Sequence, residues 1–95
     1  MAYGVVHLFP GGTKEQYEAS IAAVHPSRER LPPGQIYHAA GPSGNGWVVV
    51  AIHDSRESWE RFRDGTLLPQ LQKGVSGNLP GPPQETVFEV DNLKP

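Results

Sequence analysis

The order of apolar and polar positions divides the chain into short segments. Tyr3 to Phe9 is rich in β-branched and aromatic residues and is closed by Pro10-Gly11-Gly12, which predicts a strand followed by a turn. Thr13 follows, with Gln16 three residues on, the spacing of a capping box at a helix start. Tyr17, Ile21 and Val24 then recur at i, i+4 and i+7 as one apolar stripe, and Lys14, Glu15 and Glu18 fall away from it. Pro26 lacks the N–H a helix needs, so the helix should end near His25. Ser27 to Gly34 reads as a polar, proline-stiffened connection, and Gln35 to Ala40 as a second strand. Gly41 to Gly46, with three glycines, Pro42 and Asn45, predicts a rather long hairpin loop. Trp47 to His53 is nearly all apolar, the pattern of a central strand buried on both faces.

Asp54-Ser55 opens a second helix, and Asp54 with Glu57 again has the capping-box spacing. Trp59 and Phe62 share its inner face. Gly65 is expected to break it, with Leu67, Leu68 and Leu71 in a further helical piece that tolerates Pro69 near its start. Lys73 to Gln84 is a long Gly/Pro-rich loop, and the alternation from Glu85 to Val90 predicts a last strand. The resulting order, β-α-β-β-α-β, is the split βαβ arrangement of a ferredoxin-like α+β fold. It gives a four-stranded antiparallel sheet with two helices on one face. Both sides of the third strand are largely apolar. We assign Val48, Val50 and Ile52 to the helix-covered side and Trp47, Val49, Ala51 and His53 to the other. One helix layer covers only one side, so a second copy of the chain is the economical cover for the rest.

Composition narrows the class. Ninety-five residues and 10.3 kDa fit a single domain over 1–95. A net charge of −2 argues against nucleic acid and against anionic membranes, both of which select a basic face. With no cysteine there are no disulfides, thiol nucleophiles or thiolate metal ligands. No apolar run is long enough to span a bilayer and the N-terminus has no signal-peptide pattern, so a cytoplasmic protein is expected.

Histidines are the most informative polar residues. His7, His38 and His53 fall on the first, second and third strands, and if their phases agree three imidazoles line one cavity. A neutral imidazole is the general base most easily tuned near pH 7. Three histidines also suit a divalent metal, but no local spacing such as H-x-H supports one, and no metal is expected. His25 at a helix end suits the dipole there. Tyr37 and Trp47 flank the hairpin loop and offer aromatic bodies with a polar handle for a planar ligand; the competing reading is core or dimer contact. Trp59 and Phe62 read first as helix core, and Tyr3 and Tyr17 as packing residues able to donate to a ligand oxygen. Glu85 and Glu89 lie on one face of the last strand, as solvated edge residues or as a carboxylate that orients a histidine. Gly11-Gly12 lacks both phosphate-loop patterns and is a turn, and no G-x-S-x-G occurs. Nicotinamide and flavin fingerprints are absent too, so no cofactor is expected.

The element order, the opening VVHLFPGGTKEQYEASI and the run WVVVAIHDSRESWERFRDGTLLPQL together resemble the dimeric α/β-barrel superfamily. This superfamily includes antibiotic-biosynthesis monooxygenase-like and stress-responsive barrel domains. The second run carries a pattern common in them, Ser55, Ser58, Trp59 and Phe62. The resemblance spans nearly the whole chain and implies a homodimer with a small-molecule pocket between each sheet and its helices. Members include cofactor-independent oxygenases of polycyclic phenols, haem-degrading enzymes, polyketide cyclases and isomerases. Haem-degrading relatives use a histidine on the second helix; Ser55 to Lys73 holds none, so haem is not expected. The resemblance implies a cofactor-independent monooxygenase-like or cyclase enzyme acting on an apolar aromatic or polyketide-like molecule. In it His38 or His7 would be the base or hydrogen-bond partner, His53 would assist, and Tyr37, Trp47, Trp59 and Phe62 would shape the cavity. The alternative is a non-catalytic, ligand-binding or stress-associated dimer.

Overall fold

A computed structural model describes residues 1–24, 31–69 and 83–94. His25, Leu71 and most of the Gly/Pro-rich stretch therefore lie outside the described residues. The elements run β1 (Tyr3–Pro10), α1 (Lys14–Val24), β2 (Gln35–Ser43), β3 (Gly46–His53), α2 (Arg56–Phe62) and β4 (Gln84–Glu89). A π-helical turn, Arg63–Leu67, follows α2 directly. The four strands form one sheet in the order β2-β3-β1-β4, each pair antiparallel. This is the ferredoxin-like β-α-β-β-α-β architecture expected from the sequence.

Local chemistry sets the ends of the elements. Thr13 and Gln16 form the capping box of α1: the Thr13 N–H donates to Gln16 Oε1 at 3.0 Å and the Gln16 N–H to Thr13 Oγ1 at 3.2 Å. At α2 the cap is Ser55 rather than an Asp54–Glu57 box. Its extended backbone places Oγ 3.0 Å from the Ser58 N–H, and it directly precedes the first helical residue. The hairpin between β2 and β3 is also tighter than expected. Both strands continue through Gly41-Pro42-Ser43 to Gly46 and leave a two-residue turn, Gly44-Asn45. Pro42 is tolerated because β2 is an edge strand, and Gly44 (φ +56°) supplies the positive φ such a turn needs. Gly65 does not break the helix: it sits inside the π-helical turn, and the helical path continues to Leu68 and Pro69.

The sidedness of β3 corrects the expectation. Trp47 and His53 make ring contacts with Tyr17 of α1 and with Trp59 and Phe62 of α2, so Trp47, Val49, Ala51 and His53 face the helices. Val48, Val50 and Ile52 face away. Two apolar sides look alike in a sequence; here the aromatic stripe of the helices packs on the side that carries the imidazole and indole. The core under the helices includes Val5, Ala51 and Trp59, all buried. On the opposite side Val6, Leu8, Val48 and Val50 are half-buried, while Phe88 and Tyr37 remain 44% and 46% exposed. Phe88 lies across Gly4 of β1, where a side chain would meet its ring. Among the described residues, no helix is long and apolar enough to cross a membrane.

Candidate functional site

Strand register decides which side chains meet. His7 pairs with Val49, and Tyr3 with His53. His38 pairs with Ala51. Paired residues of neighbouring strands share a face, so His7, His38 and His53 all project toward the helices. Gln35 joins them through a break in the ladder. It lies opposite His53, and the register shifts between Gln35 and Tyr37. Residues three apart on a regular strand point to opposite faces. The bulge adds one residue and turns Gln35 and His38 to the same side.

These residues form one chain of hydrogen bonds. Tyr17 Oη lies 2.5 Å from His38 Nε2, His38 Nδ1 lies 3.1 Å from Gln35 Oε1, and Gln35 Nε2 lies 3.3 Å from His53 Nε2. His53 is fully buried, and its Nδ1 has no hydrogen-bond partner among the described residues. Trp47 Nε1 is the other buried side-chain donor without a partner among the described residues. Both belong to β3, at opposite ends of its helix-facing side. Buried polar atoms are nearly always paired, so these two stand out from the rest of the interior.

Aromatic rings enclose the chain. The His53 ring centroid is 5.4 Å from Trp59 and 5.7 Å from Phe62, and Trp59 also lies 5.8 Å from His7. Toward the hairpin end, Tyr17 packs 5.3 Å from Trp47 and 6.0 Å from His38. Burial pushes the His53 imidazole below its usual pKa, outweighing the opposing pull of the Asp54 carboxylate, so His53 is neutral at pH 7. Burial raises the Tyr17 phenol, which therefore keeps its proton as a donor. His7 stands somewhat apart, with Nε2 2.7 Å from Glu85 Oε2 across the β1–β4 ladder. Glu85 thus holds the orientation of His7, and Glu89, opposite Tyr3, is exposed. No group of three or more His, Asp or Glu among the described residues is arranged to hold a metal ion.

Three solved structures match this architecture over almost its whole length. Rv0793 from Mycobacterium tuberculosis superimposes with a TM-score of 0.69 at 19% identity, covering 98% of each chain. A protein from Chloroflexus aurantiacus J-10-fl, assigned to the antibiotic biosynthesis monooxygenases, gives 0.64 at 12% identity and covers 99% of this chain and 98% of its own. A variant of SnoaB, a cofactor-independent oxygenase from Streptomyces nogalater, gives 0.62 at 18% identity and covers 99% and 96%. The chain shares its ferredoxin-like fold with all three. No family model matches the sequence, and no curated protein matches it.

Within this fold the structure gathers six of the seven expected site residues on the helix-covered side: His7, His38, His53, Trp47, Trp59 and Phe62. Tyr37 is not among them. It lies opposite Ile52, on the far face and half-exposed. Two members of the hydrogen-bonded chain escape a reading of the sequence. Tyr17 looks like an ordinary member of an apolar helix stripe, and its bond to His38 depends on how α1 crosses the sheet. Gln35 looks like a polar strand start; its only signal is a polar residue at the head of an otherwise apolar strand.

Proposed function

We propose that this chain is a cytoplasmic homodimer that binds an apolar, planar, aromatic or polyketide-like molecule between its sheet and helices. There it performs acid–base chemistry of the cofactor-independent monooxygenase or cyclase type. The observation that carries this reading is the chain Tyr17–His38–Gln35–His53, enclosed by aromatic rings and ending at a buried nitrogen with no partner among the described residues. The large majority of buried side-chain polar atoms are paired, so an unpaired imidazole nitrogen in the core calls for an explanation. Similarity to oxygenase structures supports the same reading at the level of the fold.

Tyr17 and His38 supply the proton path. As Tyr17 Oη takes a proton from a phenol or an acidic C–H of the ligand, it passes its own proton to His38 Nε2, 2.5 Å away. The resulting phenolate or enolate is electron-rich enough to react with dioxygen or to close a ring. His7, oriented by Glu85, flanks Trp59 and offers a second imidazole at the other side of the cover. The dimer forms through the open sheet face. Val6, Leu8, Val48 and Val50, with Phe88 and Tyr37 beside them, make an apolar surface of a kind that a water-exposed monomer seldom keeps.

Aerobic incubation with a hydroxyanthrone, a polycyclic phenol, followed by mass spectrometry tests the chemistry. Wild-type protein, sedimenting at twice the 10.3 kDa chain mass, is expected to oxidise it. Tyr17→Phe and His38→Ala should each slow turnover roughly 10²-fold or more. Unchanged turnover in both variants would remove the proton path. Saturable binding without turnover would leave the non-catalytic, ligand-binding dimer.

A further inference from the structure

Gln35 does more than link two histidines, because an amide is not symmetric. Its oxygen can only accept and its nitrogen can only donate. Oε1 faces His38 Nδ1 at 3.1 Å, so that nitrogen carries a proton and donates it. In neutral His38, Nε2 is then the bare nitrogen, which accepts the Tyr17 hydroxyl. Gln35 Nε2 faces His53 Nε2 at 3.3 Å, so His53 Nε2 accepts. The proton of neutral His53 therefore sits on Nδ1, the buried atom that has no partner among the described residues. Every bond in the chain runs in one direction, from the Tyr17 hydroxyl to the His53 Nδ1–H. Gln35 is itself held in place: it is 7% exposed, its N–H donates to the Pro32 carbonyl at 3.0 Å, and the bulge after it fixes its side.

We propose that Gln35 is a positioning residue that locks both His38 and His53 as Nδ1–H tautomers, so that His53 offers a hydrogen-bond donor beside Trp59 and Phe62. The ligand group seated there is an oxygen acceptor, a carbonyl or a phenolate, and not a cation or a second donor. This rests on the ligand site proposed above and adds the polarity of its deepest point. The free neutral histidine side chain in water favours the Nε2–H form, so both residues are held against their intrinsic preference. A donor placed beside aromatic rings in a dry site also stabilises negative charge that develops on a ligand oxygen.

Imidazole tautomers are read directly from two-bond ¹H–¹⁵N correlation spectra of the uniformly ¹⁵N-labelled full chain at pH 8, with signals assigned from single His→Gln variants. The wild type is expected to show both His38 and His53 as Nδ1–H. In Gln35→Glu the carboxylate cannot donate, so His53 should switch to Nε2–H while His38 stays Nδ1–H. Gln35→Met, neutral and close in size, should also release His53 to Nε2–H and covers the case in which the glutamate variant does not fold. A role confined to packing would move neither signal selectively. His53 found as Nε2–H in the wild type, or unchanged in a folded variant, overturns the proposal. Adding 1,8-dihydroxyanthraquinone should shift the His53 Nδ1–H proton of the wild type downfield. Tautomers as stated with no such shift would remove the acceptor site and the ligand reading, and leave Gln35 as a tautomer lock.

Discussion

Replacing Trp59 with alanine is expected to lower the stability of this chain by about 3–5 kcal/mol. Trp59 is 4% exposed and is the hub of the helix-covered side, with ring contacts to His7, His53 and Phe62. Removing the indole takes away its buried area and leaves a cavity bordered by two imidazoles. Those rings then face either a void or water, and burial no longer holds the His53 imidazole below its usual pKa. A domain of this size has a total stability of roughly 5–15 kcal/mol. The loss should therefore lower Tm by about 12–40 °C, taking roughly 4–8 °C per kcal/mol. Urea denaturation followed by circular dichroism reads the change, and Trp59→Phe should retain more than half of what alanine loses. A loss below about 1 kcal/mol for alanine would mean that α2 does not hold the sheet as described.

A comparable effect is expected at a position with no side chain. Gly34 has φ +86°, in the region that L-residues avoid, and stands beside α2. A β-carbon there would strike the Ser58 side chain, with the two β-carbons 3.1 Å apart. The Gly34 carbonyl also accepts the Asp54 N–H at 2.8 Å, which ties the start of β2 to the start of α2. Gly34→Ala combines the left-handed backbone cost of roughly 1–2 kcal/mol with overpacking of roughly 1–3 kcal/mol, or about 3 kcal/mol in all. The two parts separate in a double-mutant cycle. Ser58→Gly in the Gly34→Ala background should relieve the packing part and leave the backbone part. No coupling between the two substitutions would show that Gly34 and Ser58 do not meet.

The sequence was informative where physics is local. Strand and helix order follows from apolar spacing and from Pro and Gly punctuation, and the Thr13–Gln16 capping box was legible as it stands. It was less informative where a choice depended on tertiary packing. Both sides of β3 are apolar, so periodicity could not say that Val48, Val50 and Ile52 face away from the helices. The turn at Gly44-Asn45 was masked by Pro42, which only an edge strand tolerates. The site shows the same division. Alternation left the phase agreement of His7, His38 and His53 open, and strand register brings them to one side. The bulge between Gln35 and Tyr37 could not be anticipated, and it brings Gln35 in; Tyr37, next to His38, faces out by simple alternation. Tyr17 was hidden for a different reason: a stripe residue on a helix gains a polar partner only once the helix is docked.

The two tryptophans of the chain, Trp47 and Trp59, both stand on the helix-covered side, so their fluorescence reports on the site alone. Titration of the full chain with 1,8-dihydroxyanthraquinone is the most direct test of a small-molecule site there. Saturable quenching at one ligand per chain is expected, weakened roughly 10-fold or more in His53→Phe, which keeps a ring but removes the Nδ1–H donor. Quenching that never saturates, or equal affinity in wild type and His53→Phe, would contradict a ligand site built on the His53 end of the chain.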